Sequence, residues 1–175
     1  MYNQWFKIRK LMYGWMIIGI GEDHLIEASD FLGYDLPKKF LEKMIRLIRH
    51  KSIEEWLYYQ NEPGACIMCI ENTDETICFS LYESKKDSDE LDPYDERKEW
   101  QSCGNKIFSY DVKINDALDG IVAEFSLYEN GNGRKMYEKH WGDFPQEEYD
   151  ELKKIASEIN KNCGRYDKLF CMTYL

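Results

Sequence analysis

The chain has little that belongs to a recognisable enzyme. Only 3 of its 175 residues are histidine, and no Ser-His-Asp order, Gly-x-Ser-x-Gly elbow or phosphate-cradling glycine loop occurs. Catalytic triads assemble in space from distant positions, so this disfavours catalysis without closing the case. Long apolar runs are equally scarce. The longest candidate, LMYGWMIIGIG after Lys7, Arg9 and Lys10, is far short of the roughly 20 residues a membrane helix needs. It is followed at once by Glu22-Asp23-His24 rather than a small-x-small cleavage site, so it does not read as a signal peptide. A buried strand is expected there. Basic charge is the third shortage: 23 Lys and Arg stand against 33 Asp and Glu, a net −10. A chain of that sign repels nucleic acid and anionic membranes and attracts basic partners.

The charge is also unevenly placed. Residues 1–51 hold 9 basic against 6 acidic side chains, whereas residues 71–99 hold 4 against 11, a local −7. What the chain does possess is apolar and aromatic material, 43% and 15% of residues. That is enough to build a core and argues against disorder. A single domain spanning 1–175 is expected. Six cysteines could form three bridges in a secreted protein; without an export signal, reduced thiols in a cytoplasmic protein are the expectation.

Periodicity predicts an α+β fold, an antiparallel meander of about six strands with N-terminal and C-terminal helices packed on it. Trp15–Ile20 reads as a strand covered on both faces. Pro37 opens a helix whose apolar stripe is Phe40, Leu41, Met44, Ile45, Leu47 and Ile48. Ser52-x-x-Glu55 reads as a capping box that starts a short second helix through Tyr59. Residues 65–72 and 75–83 then read as a hairpin about Thr73-Asp74. The pentapeptide FSLYE occurs twice, at Phe79–Glu83 and at Phe125–Glu129. Alternation predicts a strand for both copies, the second with Ile121, Ala123, Phe125 and Leu127 inward and Glu124, Ser126 and Tyr128 outward. Asn130-Gly131-Asn132-Gly133 is expected to turn a second hairpin. Lys106–Ile114 reads as a strand followed by a turn at Asp116–Gly120. Asp143 is expected to cap a last helix with the stripe Tyr149, Leu152, Ile155, Ala156 and Ile159. Gly164 then ends that helix, and Tyr166–Leu175 reads as a closing strand.

Most candidate chemistry dissolves on inspection. Cys66-x-x-Cys69 lacks a second ligand pair for zinc, and in a strand its two thiols point to opposite faces, so core thiols are expected. Gly19-Ile20-Gly21 has His24 where a dinucleotide fingerprint needs its third glycine. Asp87-x-Asp89 begins like a calcium loop, but Asp92 and Lys98 occupy the glycine and bidentate-glutamate positions. No cofactor or metal is expected. Two candidates remain. One is the segment SKKDSDELDPYDERKE with the Trp that follows it, where Asp87, Asp89, Glu90, Asp92, Asp95 and Glu96 surround the aromatic anchors Tyr94 and Trp100. That pattern suits docking of a basic protein. The other is the polar corner Glu22-Asp23-His24, suited to a small enzyme or a ligand-binding domain.

Glu27-x4-Leu32-Gly33-x2-Leu36-Pro37-x2-Phe40 resembles the opening of the SUKH-type superfamily of bacterial immunity proteins. His50-Lys51-Ser52 stands where that family places Asn-Gly-Gly. The resemblance implies an inhibitor that binds and neutralises a cognate protein toxin with a basic surface, such as a nuclease. No interface residue transfers from it, and it leaves the oligomeric state open.

Overall fold

The computed structural model describes residues 5–22, 24–29, 35–61, 64–73, 75–85 and 103–172. The chain is α+β. Seven antiparallel strands follow one another in sequential order: β1 (Phe6–Met12), β2 (Trp15–Ile20), β3 (His24–Ser29), β4 (Glu54–Asn61), β5 (Gly64–Thr73), β6 (Thr76–Ser84) and β7 (Cys103–Lys113). They form a three-stranded and a four-stranded sheet, β1–β3 and β4–β7, joined edge to edge by one register pair, Ser29 with Gln60. The expected meander is thus present in type, but it is split and longer than six strands.

Helix α1 (Leu36–Arg49) forms as its stripe predicts, with Asp35 accepting a hydrogen bond from Lys38 N at 3.2 Å and Pro37 in the first turn. It packs on β4 and β5. Helices α2 (Ile114–Ser126), α3 (Gly131–His140) and α4 (Gln146–Met172) follow β7 without another strand. Four phenylalanines from separate elements meet at the centre. Phe6 of β1 stacks on Phe40 of α1 at 5.2 Å and on Phe125 of α2 at 6.2 Å, and Phe40 lies 6.1 Å from Phe79 of β6. A ring gathered from four elements ties both sheets to both helices.

Several local expectations are overturned. Residues 54–59 form strand β4, not a helix, because they pair continuously with β5 from Glu54–Glu71 to Asn61–Gly64. The capping-box serine instead donates to Glu54 O at 2.9 Å. The second FSLYE copy ends helix α2. Ala117, Leu118, Ile121 and Phe125 are buried at helical spacing, and Glu124, expected outside, is buried and accepts from Ile8 N at 2.9 Å. The expected turn at Asp116–Gly120 is therefore helical. Asn130–Gly133 opens α3 rather than a hairpin. A Cβ on Gly133 would meet Leu127 O at 1.9 Å, so it is close backbone approach that requires glycine there. Asp143 stands upstream of α4, which begins at Gln146 and runs through Gly164 to Met172, where a closing strand was expected. An internal glycine costs a helix only about 1 kcal/mol, too little to end it by itself.

Candidate functional site

The residues proposed for docking, Asp87, Asp89, Glu90, Asp92, Tyr94, Asp95, Glu96 and Trp100, lie outside the described residues. The structure does place the two ends of that segment. β6 and β7 pair antiparallel along their length, and Ser84 and Cys103 are register partners. The connection therefore leaves and re-enters the sheet at one edge position, carrying its charge between two adjacent strand ends. Of the acidic residues in 71–99 that are described, Glu75 and Glu83 are exposed and Glu71 is half-buried. Among the described residues these three enter no ion pair.

The helical side differs. Glu148 and Glu151 of α4 pair with Lys38 at 3.4 Å and Arg49 at 2.8 Å, and Glu42 pairs with Lys39 at 3.3 Å. Beneath them Glu55 of β4 is buried and lies 3.6 Å from Lys43 and 3.5 Å from Arg46, both on α1. Lys38, Lys43, Arg46 and Arg49 of α1 thus tie the helix to β4 and to α4. Among the described residues, Glu71, Glu75 and Glu83 have no such ion pair.

The second candidate, Glu22-Asp23-His24, sits at the β2–β3 turn, with Asp23 outside the described residues. Here the turn approaches β7 and forms a shallow recess of about 370 Å³ bounded by Ile20, Gly21, Glu22, His24, Phe108 and Tyr110. The His24 ring stacks on Phe108 at 4.1 Å and 11°. The stack continues through Tyr110 at 6.4 Å and on to Trp5 at 6.1 Å. Burial lowers the His24 pKa, so its imidazole is neutral at pH 7. Gly21 has φ +67, and a Cβ there would come within 3.0 Å of the Tyr110 ring; its N–H donates to Trp5 O at 2.7 Å. Turn geometry and ring contact thus account for this glycine, in keeping with a turn rather than a nucleotide loop. The recess has an aromatic wall, a neutral imidazole and one exposed carboxylate, a combination suited to a flat or weakly polar ligand. Phe108 and Tyr110 could not be assigned to it from sequence, because they lie over 80 positions from His24. Only the alternating apolar pattern of 106–114 hinted that they shared a face.

Cys66 and Cys69 behave as expected of a strand. Cys66 shares a hydrogen bond with Tyr59, while Cys69 is opposite Trp56 and Ser80 on the reverse face. The four described cysteines are unbridged. No helix among the described residues is long and apolar enough to cross a membrane. Comparison of the chain with protein-family models, curated proteins and solved structures returns no match.

Proposed function

We propose that this protein is an immunity-type inhibitor, which binds a basic protein toxin through the acidic segment between β6 and β7. The observation that carries this reading is the connecting segment 85–102, which holds 7 acidic against 4 basic side chains and is attached at both ends to the register-paired Ser84 and Cys103. Both ends of the segment are thereby tied to one end of the β6–β7 pair. The neighbouring Glu83 is exposed and adds to the same field, whereas Glu75 lies at the far end of β6. If the target is a nuclease, its phosphate-binding groove is positive, and carboxylates compete for that groove directly. Long-range attraction by a −10 protein also speeds encounter, which suits neutralisation of a toxin before it acts.

The reading predicts a basic toxin encoded beside this protein's gene, and the test uses the product of that neighbouring gene. Reversing Asp89, Asp92 and Asp95 to lysine lowers affinity at least about tenfold, mainly through slower association, and flattens the salt dependence. Unchanged affinity removes the segment from the mechanism.

The His24–Phe108 stack favours a second reading, a small ligand-binding domain whose ligand rests in the Glu22–His24 recess. It predicts that aromatic fragments perturb the NMR signals of Ile20, Phe108 and Tyr110 together, and that His24→Ala abolishes the effect. Toxin binding in the first reading is indifferent to that substitution.

A further inference from the structure

On the sheet face opposite α1, strand pairing gathers three groups that can ligate a metal ion. Glu54 of β4 is the register partner of Glu71 of β5. Cys69 lies two residues before Glu71 and so shares its face. One carboxylate oxygen from each glutamate and the Cys69 sulfur all lie within 4.8 Å of one another. Like charges directly opposite on neighbouring strands oppose pairing, and among the described residues neither glutamate has an ion-pair partner. Independently, Cys69 is 1% exposed, is unbridged, and has no hydrogen-bond partner among the described residues. Its thiol is a buried polar group turned toward the two carboxylates.

We propose that Cys69, Glu54 and Glu71 form a binding site for a divalent transition-metal ion of the zinc or cobalt type. One sulfur with two carboxylates is a borderline-soft donor set. It suits these ions and discriminates against magnesium and calcium, which take oxygen alone. A divalent charge between Glu54 and Glu71 removes their repulsion and supplies the partner that the buried thiol lacks. Burial, with Glu71 and Glu54 adding to it, pushes the Cys69 thiol pKa up. The thiol is therefore protonated without an ion, and binding sends its proton to solvent. The bound site then balances two positive charges against three negative ones. Three protein ligands leave one tetrahedral position for water or an incoming group. Glu54 is exposed and gives the ion a route in from solvent. Cys78, opposite Glu71 on β6, is within 3.3 Å of Ser109 Oγ and 3.6 Å of Ser80 Oγ and stands beside the ligand set rather than in it. The Cys66-x-x-Cys69 spacing takes no part, since Cys66 faces the other side with Tyr59.

The experiment titrates the reduced, tag-free protein with Co²⁺ alone and follows the thiolate-to-cobalt charge-transfer absorption and the visible ligand-field bands. The expected result is one equivalent bound with a charge-transfer band, and displacement of the cobalt by Zn²⁺. Cys69→Ser abolishes the band, and Glu54→Gln with Glu71→Gln weakens binding at least about tenfold, while Cys66→Ser changes neither. Circular dichroism of each variant reports its fold. Should Cys69→Ser fail to fold, the double glutamine variant decides. Absence of a charge-transfer band in the parent protein overturns the proposal. So does a band that persists in Cys69→Ser, or full affinity in the double glutamine variant.

Discussion

The two copies of FSLYE make a controlled comparison inside one molecule. In β6, Phe79, Ser80 and Leu81 are all fully buried, and the segment is clamped between β5 and β7. At the end of α2, Phe125 and Tyr128 are buried, three residues apart, while Leu127 is 58% exposed and Ser126 faces solvent. The same five side chains thus lie in a strand buried on both faces in one place and across the end of a helix in the other. Their own propensities cannot decide this, because they are identical. What differs is the context. Thr76, Ile77 and Cys78 lead the first copy into a slot with a strand on either side. The second follows Ile114, Ala117, Leu118 and Ile121, which line one helical face and reach β1 and α4. Propensity is a weak prior, and burial of the upstream stripe overrides it.

That comparison can be broken by mutation. The largest effect is expected from the shared phenylalanine. Phe79→Ala and Phe125→Ala each cost about 3–5 kcal/mol in urea unfolding, because both rings sit in the central aromatic cluster. A near-neutral Phe125→Ala sinks the helical placement. The leucines separate the copies most sharply. Leu81→Ala is expected to cost about 2–5 kcal/mol, and Leu127→Ala to stay within about 0.5 kcal/mol. Equal costs would mean that both copies are strands.

Glu124, just before the second copy, should follow. Its carboxylate accepts from Ile8 N inside the protein, so Glu124→Ala leaves a buried donor unpaired and costs about 1–3 kcal/mol. A cost near zero would put Glu124 on the surface. The tyrosine of the second copy gives a pH signature. Burial, helped by the nearby Glu124, pushes the Tyr128 pKa up to about 12. The unfolded chain ionises this phenol near about 10, so the folded state holds its proton longer. Stability is therefore full below pH 10 and falls between about 10 and 12. Tyr128→Phe should remove part of that alkaline loss, visible in urea midpoints across the range. The smallest effect belongs to the last residue. Glu129 pairs with Lys153 at 2.8 Å in a solvent-accessible position; Glu129→Gln should cost under about 1 kcal/mol and less in high salt.

Much of the fold was legible where periodicity and partner agree. The α1 stripe, the β5–β6 hairpin and the Tyr149–Ile159 stripe needed no distant information. Strands β1 and β3 went unseen because their inward sets, Phe6 with Ile8 and Ile26 with Ala28, are too short to show a period. β4 was misread since Ser52 and Glu55 mimic a capping box, whereas Glu55 is in fact the buried partner of Lys43. Of the candidate site, the Glu22–His24 corner was visible as a polar interruption, but its aromatic wall on β7 was not. The approach of Glu54 to Cys69 depends on a register that no local pattern announces.

From the chain alone came the α+β class, the acidic bias and its concentration in residues 71–99, because composition and short-range alternation act before any folding partner is chosen. Tertiary structure alone decided which FSLYE copy is strand and which is helix. It also decided which carboxylates are matched by α1 and α4 cations and which side chains face one another across β4 and β5. These outcomes turn on long-range pairing, whose energy is shared between segments and so is written in neither of them.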